Sequence, residues 1–192
     1  MCGIFGWQLY QSQFTDEKKS SAVRATRLLT HRGPDNEGYW SSDTTFFGHR
    51  RLKIIDLSDS ANQPFIDNEA GLILIYNGEV YNYIELRENL RTYGFNFLTG
   101  SDTEVVLNAY KHWGTSCFAQ FDGMFAGAIL HVDTGKVVLF RDHLGQKPLY
   151  YGYNNNIFLF GSELKAIKSH PSFLGEIDRE SLSLQLKYNY IP

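Results

Sequence analysis

Cysteine is scarce in this chain, with two residues in 192, Cys2 and Cys117. They lie too far apart to make a metal-ligand spacing and offer no disulfide framework, which points to a reducing compartment. Positive charge is not in excess either. The 18 Lys and Arg against 21 Asp and Glu leave a formal net charge of -3. The basic residues are spread along the chain, so no patch suits nucleic-acid binding. No apolar run approaches the roughly 18 residues of a membrane span, and the first residues lack the charged and apolar regions of a signal peptide. A cytoplasmic protein is expected, with neither nucleic acid nor membrane as partner. Internal repeats, low-complexity segments and Gly/Ser-rich linkers are absent. What remains is globular in character. Hydrophobic residues make up 43 % and charged residues 20 %, and the length suits one domain with a sizeable core.

The most chemically suggestive stretch is the first, Met1-Cys2-Gly3-Ile4-Phe5-Gly6. If Met1 is removed, Cys2 carries a thiol and a free α-amino group on one Cα, a nucleophile beside its own base. A thiol of pKa about 8.5 is only a few per cent ionised at neutral pH. An α-amine of pKa about 7.7 to 8.0 is matched to take its proton, directly or through one water. Cys2 is therefore the candidate nucleophile. Gly3 beside it is expected to let a substrate approach the backbone and to tolerate unusual dihedrals. Taken alone, a small residue at position 2 means no more than efficient methionine removal.

Periodicity and turn chemistry divide the rest. A buried strand is expected over 4–10, a helix over 16–29, and short β-prone runs over 38–40, 45–49 and 51–55, followed by a polar loop over 56–64. The apolar run 72–76 ends in Asn77-Gly78, after which 79–81 resumes β character. Asn-Gly reads as a hairpin turn, since both residues accept positive φ. A helix over 83–93 should stop at Gly94. Ser101-Asp102-Thr103-Glu104 has the spacing of a capping box, placing Asp102 at the start of a helix with an apolar stripe. Strands are expected over 124–132, 137–141, 149–153 and 157–161, and helices over 163–169 and 179–187. Consecutive antiparallel strands with inserted helices predict an α+β fold.

Seven stretches in order change the reading: Cys2-Gly3-Ile4-Phe5-Gly6, His31-Arg32-Gly33-Pro34-Asp35, Gly48-His49-Arg50-Arg51-Leu52, Tyr76-Asn77-Gly78-Glu79, Gly100-Ser101-Asp102-Thr103-Glu104, Phe121-Asp122-Gly123-Met124-Phe125-Ala126 and Arg141-Asp142-His143-Leu144-Gly145. Together they resemble the class II glutamine amidotransferase domain of the asparagine synthetase type, over essentially the whole chain. The resemblance implies an N-terminal-nucleophile hydrolase fold, a four-layer αββα sandwich of two antiparallel sheets, occupying residues 1–192 as one glutaminase domain. It implies L-glutamine as substrate, hydrolysed through a Cys2 thioester, and ammonia as the product passed on. By resemblance the oxyanion donors are the Asn77 side-chain amide and the Gly78 N–H. Arg51 takes the substrate carboxylate, Asp102 the α-ammonium with Glu79 assisting, and backbone groups of Leu52 and Ile54 complete the pocket. Arg50 and Arg51 are adjacent in a strand, so only one can face inward.

The resemblance further implies a C-terminal synthetase domain that amidates aspartate with ATP and Mg²⁺. Neither a Gly-x-x-x-x-Gly-Lys loop nor a Ser-Gly-Gly pyrophosphatase-type motif occurs here, so the last residues are expected to lead into that domain. The glutaminase domain itself is expected to need no cofactor and no metal. A sugar or saccharide acceptor, a silent glutamine-binding module with Met1 retained, and a homodimer all stay open. His31 and His49 are read as structural because the amine makes a histidine base unnecessary, and Cys117 as a buried inert thiol. Arg32, Asp35, Arg141 and Asp142 are read as candidates for loop-ordering ion pairs.

Overall fold

The computed structural model describes residues 1–170, 173 and 175–191, so the expected end at Pro192 lies outside the described residues. Two antiparallel sheets form its centre. The first contains β1 (Gly3–Leu9), β2 (Asn36–Ser41), β3 (Thr45–Arg51), β8 (Tyr150–Asn154) and β9 (Ile157–Gly161), in the order β2-β3-β1-β9-β8. The second contains β4 (Phe65–Asp67), β5 (Leu72–Val80), β6 (Gly123–His131) and β7 (Val137–Arg141), in sequence order. The N-terminal strand is thus central in its sheet, paired with β3 from Gly3↔Arg50 to Gln8↔Thr45 and with β9 from Phe5↔Gly161 to Leu9↔Ile157.

Side-chain alternation along the strands divides the core into three clusters. Ile4, Phe47, Phe160, Ile73, Ile75, Ala128 and Leu130 pack sheet against sheet. Phe5, Trp7, Phe46 and Leu159 face α1 (Asp16–Arg27) and α4 (Leu164–Lys168) through Ala22, Ala25, Leu29 and Ile167. Leu74, Tyr76, Val80 and Phe125 face α2 (Tyr83–Thr92) and α3 (Asp102–Trp113) through Leu86, Leu90, Val105 and Val106. The result is the expected αββα layering. A last helix, α5 (Arg179–Tyr188), has no buried residue.

Several sequence expectations need correction. Asn77-Gly78 is not a hairpin turn. Both residues sit inside the continuous strand β5, paired as Asn77↔Ala126 and Gly78↔Phe125. A nine-residue register with β6 outweighs the local turn preference. Gly78 is required for another reason, since a Cβ there would lie 2.4 Å from the Met124 carbonyl oxygen and 2.6 Å from Phe125 Cα. Gly3 also answers to packing, and it adopts no positive φ. Its Cβ would lie 2.8 Å from that of Leu29, which sits in the turn that follows α1. The expected break between 45–49 and 51–55 falls later, because β3 continues to Arg51 and the segment after it is irregular. Short 3₁₀ turns at Asp59–Ala61 and Gly114–Gln120, and the strand β4, carried no recognisable sequence signal. At α3 the Ser101 hydroxyl caps Thr103 N–H, but Glu104 does not complete the box. Its carboxylate instead accepts from Leu98 N–H, Thr99 N–H and the Thr99 hydroxyl.

No helix among the described residues is long and apolar enough to cross a membrane.

Candidate active site

A cavity of about 140 Å³ opens where the start of β1, the segment after β3, the C-terminal half of β5 and the N-terminus of α3 converge. Every residue expected to touch substrate lines it: Cys2, Arg51, Leu52, Ile54, Asn77, Gly78, Glu79 and Asp102.

Cys2 immediately precedes the central strand, so its backbone position is set from two sides. Arg32 Nε donates to the Cys2 carbonyl at 2.9 Å and Arg32 Nη1 pairs with Glu163 at 3.1 Å, tying the residue to the far end of β9. The sulfur lies against Leu52, whose N–H reaches Sγ at 3.4 Å and whose carbonyl is 3.7 Å away. Burial pushes the thiol above its ordinary pKa, while the Leu52 N–H and the Arg51 charge favour the thiolate. Met1 also lines the cavity. Burial, aided by the Arg32 and Lys147 charges, lowers its amine below the usual value against the opposing pull of Cys2 and Glu79.

Asn77 is 1 % exposed and its Nδ2 has no hydrogen-bond partner among the described residues. A buried amide N–H left unpaired costs about 1–3 kcal/mol, a cost tolerated where a ligand is to be bound. Its backbone is well determined by the flanking residue. Tyr76 N–H donates to Gln63 Oε1 at 2.6 Å, and the buried His49 Nε2 donates to the Tyr76 carbonyl at 3.1 Å. Burial holds His49 down to about 3, so it is neutral and structural at physiological pH.

The two adjacent arginines diverge as strand alternation requires. Arg50 bonds the Gly33 carbonyl at 2.9 Å and Glu37 at 2.6 Å. Arg51 lines the cavity and also holds the following loop, donating from Nη1 to the Ser58 carbonyl and Asn62 Oδ1, each at 2.7 Å, and from Nη2 to the Asp56 carbonyl. Five guanidinium N–H groups are available, so donors remain for a carboxylate. Asp102 is 4 % exposed and accepts on Oδ2 from the Tyr76 hydroxyl at 3.0 Å and from Val80 N–H at 3.1 Å. Burial raises its carboxyl above the ordinary value, and these two hydrogen bonds oppose that rise.

Sequence reasoning missed Gln63, Tyr76, Met124 and Lys147, which line the same cavity. Lys147 follows a loop whose form depends on Asp142, which accepts from Phe125, Gln146 and Lys147 N–H groups. Of the four residues expected to form ion pairs, only Arg32 does so among the described residues. Asp35 accepts Lys53 N–H, Arg141 donates to the Gly145 and Lys147 carbonyls, and Asp142 serves backbone donors. His31 lies outside the cavity on Glu163 at 2.9 Å. Cys117 is fully buried, and burial pushes its thiol up to about 12.

The family model described as a glutamine amidotransferase domain matches residues 1–192. The chain is 40 % identical over 185 residues to asparagine synthetase [glutamine-hydrolyzing] 3 of Bacillus subtilis, covering 95 % of this chain and 30 % of that protein. It is 38 % identical over 170 residues to asparagine synthetase B [glutamine-hydrolyzing] of Escherichia coli, covering 87 % of this chain and 30 % of the other. The chain therefore spans under a third of the length of these relatives. Among solved structures it resembles the glutamine phosphoribosylpyrophosphate amidotransferase of B. subtilis in complex with ADP and GMP. The TM-score is 0.71 at 21 % identity, over 88 % of this chain and 43 % of that one, a likeness of fold.

Proposed function

The chain belongs to the glutamine amidotransferase domain family, class II, and on that premise we propose that it hydrolyses L-glutamine to glutamate and ammonia through a thioester on Cys2. The observation that carries the reading is that one cavity is lined both by Cys2 and by Asn77, whose buried amide nitrogen has no partner among the described residues. Removal of Met1 exposes the Cys2 α-amine beside its own thiol and clears part of the cavity lining. The amine takes the thiol proton as Sγ attacks the side-chain carbonyl carbon of glutamine. Negative charge then develops on the former carbonyl oxygen, and the Asn77 amide and Gly78 N–H are the donors for it. The C–N bond breaks, the protonated amine returns its proton to the leaving nitrogen, and ammonia departs. Water then attacks the thioester carbon, giving a proton to the amine, and the C–S bond breaks to release glutamate as the amine returns the proton to Sγ and restores the Cys2 thiol.

Arg51 pairs with the α-carboxylate by two N–H donors, and Asp102, with Glu79 nearby, takes the α-ammonium. Backbone groups of Leu52 and Ile54 complete the pocket. In the longer protein the ammonia serves ATP- and Mg²⁺-dependent amidation of aspartate in a C-terminal synthetase domain, a reading supported by relatives named as glutamine-hydrolysing asparagine synthetases. A cytoplasmic setting belongs to the same reading, since the catalytic thiol must stay reduced. Cys2→Ala should abolish glutamate release while leaving the circular dichroism spectrum and melting temperature intact. Retained glutaminase activity would refute the assignment. Intact mass gives the second check, because a native protein that keeps Met1 lacks the required amine.

A further inference from the structure

Tyr76 and Asn77 are successive residues of β5 and face opposite sides of the sheet. Both line the cavity, Asn77 with a buried, unpartnered amide nitrogen, and Tyr76 from the helix-side core, 2 % exposed, its ring stacked on Phe140 with centroids 6.5 Å apart and 17° between planes. Such a position normally calls for phenylalanine, and a buried hydroxyl needs a partner. Here the partner is Asp102 Oδ2, which the Tyr76 hydroxyl meets at 3.0 Å and which also accepts Val80 N–H at 3.1 Å. Both donors come from β5 and fall on the same carboxylate oxygen. The other oxygen, Oδ1, lies 3.5 Å from Ser101 Oγ, a weak contact at most, and the Thr103 backbone N–H at the start of α3 also favours the ionised carboxylate. The Tyr76 backbone is held as firmly as its hydroxyl, between Gln63 Oε1 and His49 Nε2.

We propose that Tyr76 is a positioning residue for substrate selectivity: its hydroxyl occupies Asp102 Oδ2 so that Oδ1 is turned to the α-ammonium of the substrate. The proposal rests on the glutaminase reading above. The phenol keeps the proton it donates to Asp102, because burial and the adjacent carboxylate raise its pKa well above the ordinary value. Around Asp102 stand Tyr76 and Glu79 from β5 and Cys2 from the start of β1, with Arg51 and Lys147 lining the same cavity. Among these the Tyr76 hydroxyl is the side-chain donor that reaches the carboxylate oxygen opposite Oδ1. A single strand thereby carries both the candidate oxyanion donor, on one face, and the clamp on the ammonium-binding carboxylate, on the other.

The test compares Tyr76→Phe with the unaltered protein, using glutamine as substrate and 4-carbamoylbutanoate, which lacks the α-amino group, as a competing ligand. The expected result is a glutamine KM raised about 10- to 100-fold, the worth of one hydrogen bond to a charged group, with kcat within about threefold and the inhibition constant of the deamino ligand unchanged. Equal weakening of both ligands would mean a general packing role and overturn the proposal, as would no change for either. Should Tyr76→Phe fail to fold, the Tyr76→Phe, Asp102→Asn double variant decides. Its folding supports the proposal, because a neutral amide at position 102 no longer needs the hydroxyl, and its failure to fold overturns it. Lack of glutamate release from the unaltered protein would fell the glutaminase reading itself, and this proposal with it.

Discussion

Leu52 approaches Cys2 with both of its backbone polar groups, its N–H 3.4 Å and its carbonyl 3.7 Å from the sulfur. The N–H favours thiolate and the carbonyl accepts from the thiol, so the sulfur is positioned in either protonation state. Burial outweighs the N–H, and the thiol titrates above its usual range. A sulfur of this kind is neutral at physiological pH and needs a base at the moment of attack.

Alkylation follows from this. Iodoacetamide should modify the folded protein at Cys2 alone, with a rate-pH profile displaced upward from that of a free thiol, while Cys117, fully buried with its thiol raised to about 12, should react only after unfolding. Peptide mass mapping over a pH series reads both. Modification of native Cys117 at a comparable rate would contradict the burial argument.

Asn77→Ala should lower kcat for glutamate release about 10²- to 10³-fold with little change in KM, since the lost donor serves charge that appears only in the transition state. Removing this amide also removes an unpaired buried N–H group, so stability should hold or improve. A variant that loses activity by losing its fold would count against the assignment.

Gly78→Ala tests packing instead of turn conformation. The added methyl would press on the Met124 carbonyl and the Phe125 backbone, forcing β5 from β6 at a cost of about 1–3 kcal/mol. Urea denaturation measures it. A neutral result would mean that the strands separate without strain.

His49 sets a pH dependence of stability. Its folded pKa of about 3 lies below the unfolded value near 6.5, so the unfolded chain binds the proton first as pH falls. Stability attributable to this residue is complete above about pH 6.5. It declines by about 1.4 kcal/mol per pH unit from there towards pH 3. His49→Asn should flatten that part of the curve in urea denaturation at successive pH values, and an unchanged slope would show that His49 protonates in place.

Glu163 acts lower on the scale. Burial would raise its carboxyl, but hydrogen bonds from His31, Arg32 and Lys165 prevail and hold it at about 2. The associated stability is present above the unfolded carboxylate value near 4.3 and is lost as pH falls towards 2. Glu163→Gln should remove this acid limb and, through the loosened Arg32, lower kcat for glutamine modestly. An unaltered acid limb, followed by circular dichroism, would place the dependence elsewhere.

The elements most legible in the sequence were those whose local signals agree with their surroundings. Ser101 caps α3, and Gly94, at φ 89°, ends α2. The strands of 137–141 and 157–161 fall where turn residues divide the chain. Misreadings occurred where a long-range contact overrules a local preference. Asn77-Gly78 is drawn into nine paired residues with β6, and Glu104 is turned to the 98–99 backbone instead of the Ser101 N–H. Lys147 and Gln63 had no signal of their own, because their place at the cavity depends on loops anchored by Asp142 and Tyr76.

By itself the sequence determined the layered α+β class, the candidate nucleophile at Cys2 and, through the resemblance carried by seven ordered stretches, part of the cavity lining, from Cys2 and Arg51 to Asn77 and Asp102. Periodicity and residue chemistry are local properties, readable without coordinates. Only the tertiary structure decided that Arg51 and not Arg50 turns inward, that Asn77 is buried with its amide unpaired, and that Tyr76 carries Asp102 from the opposite face of the same strand. Those facts depend on strand register and on which layers meet, and contacts between residues 26 to 50 positions apart are specified by the packing of the whole chain.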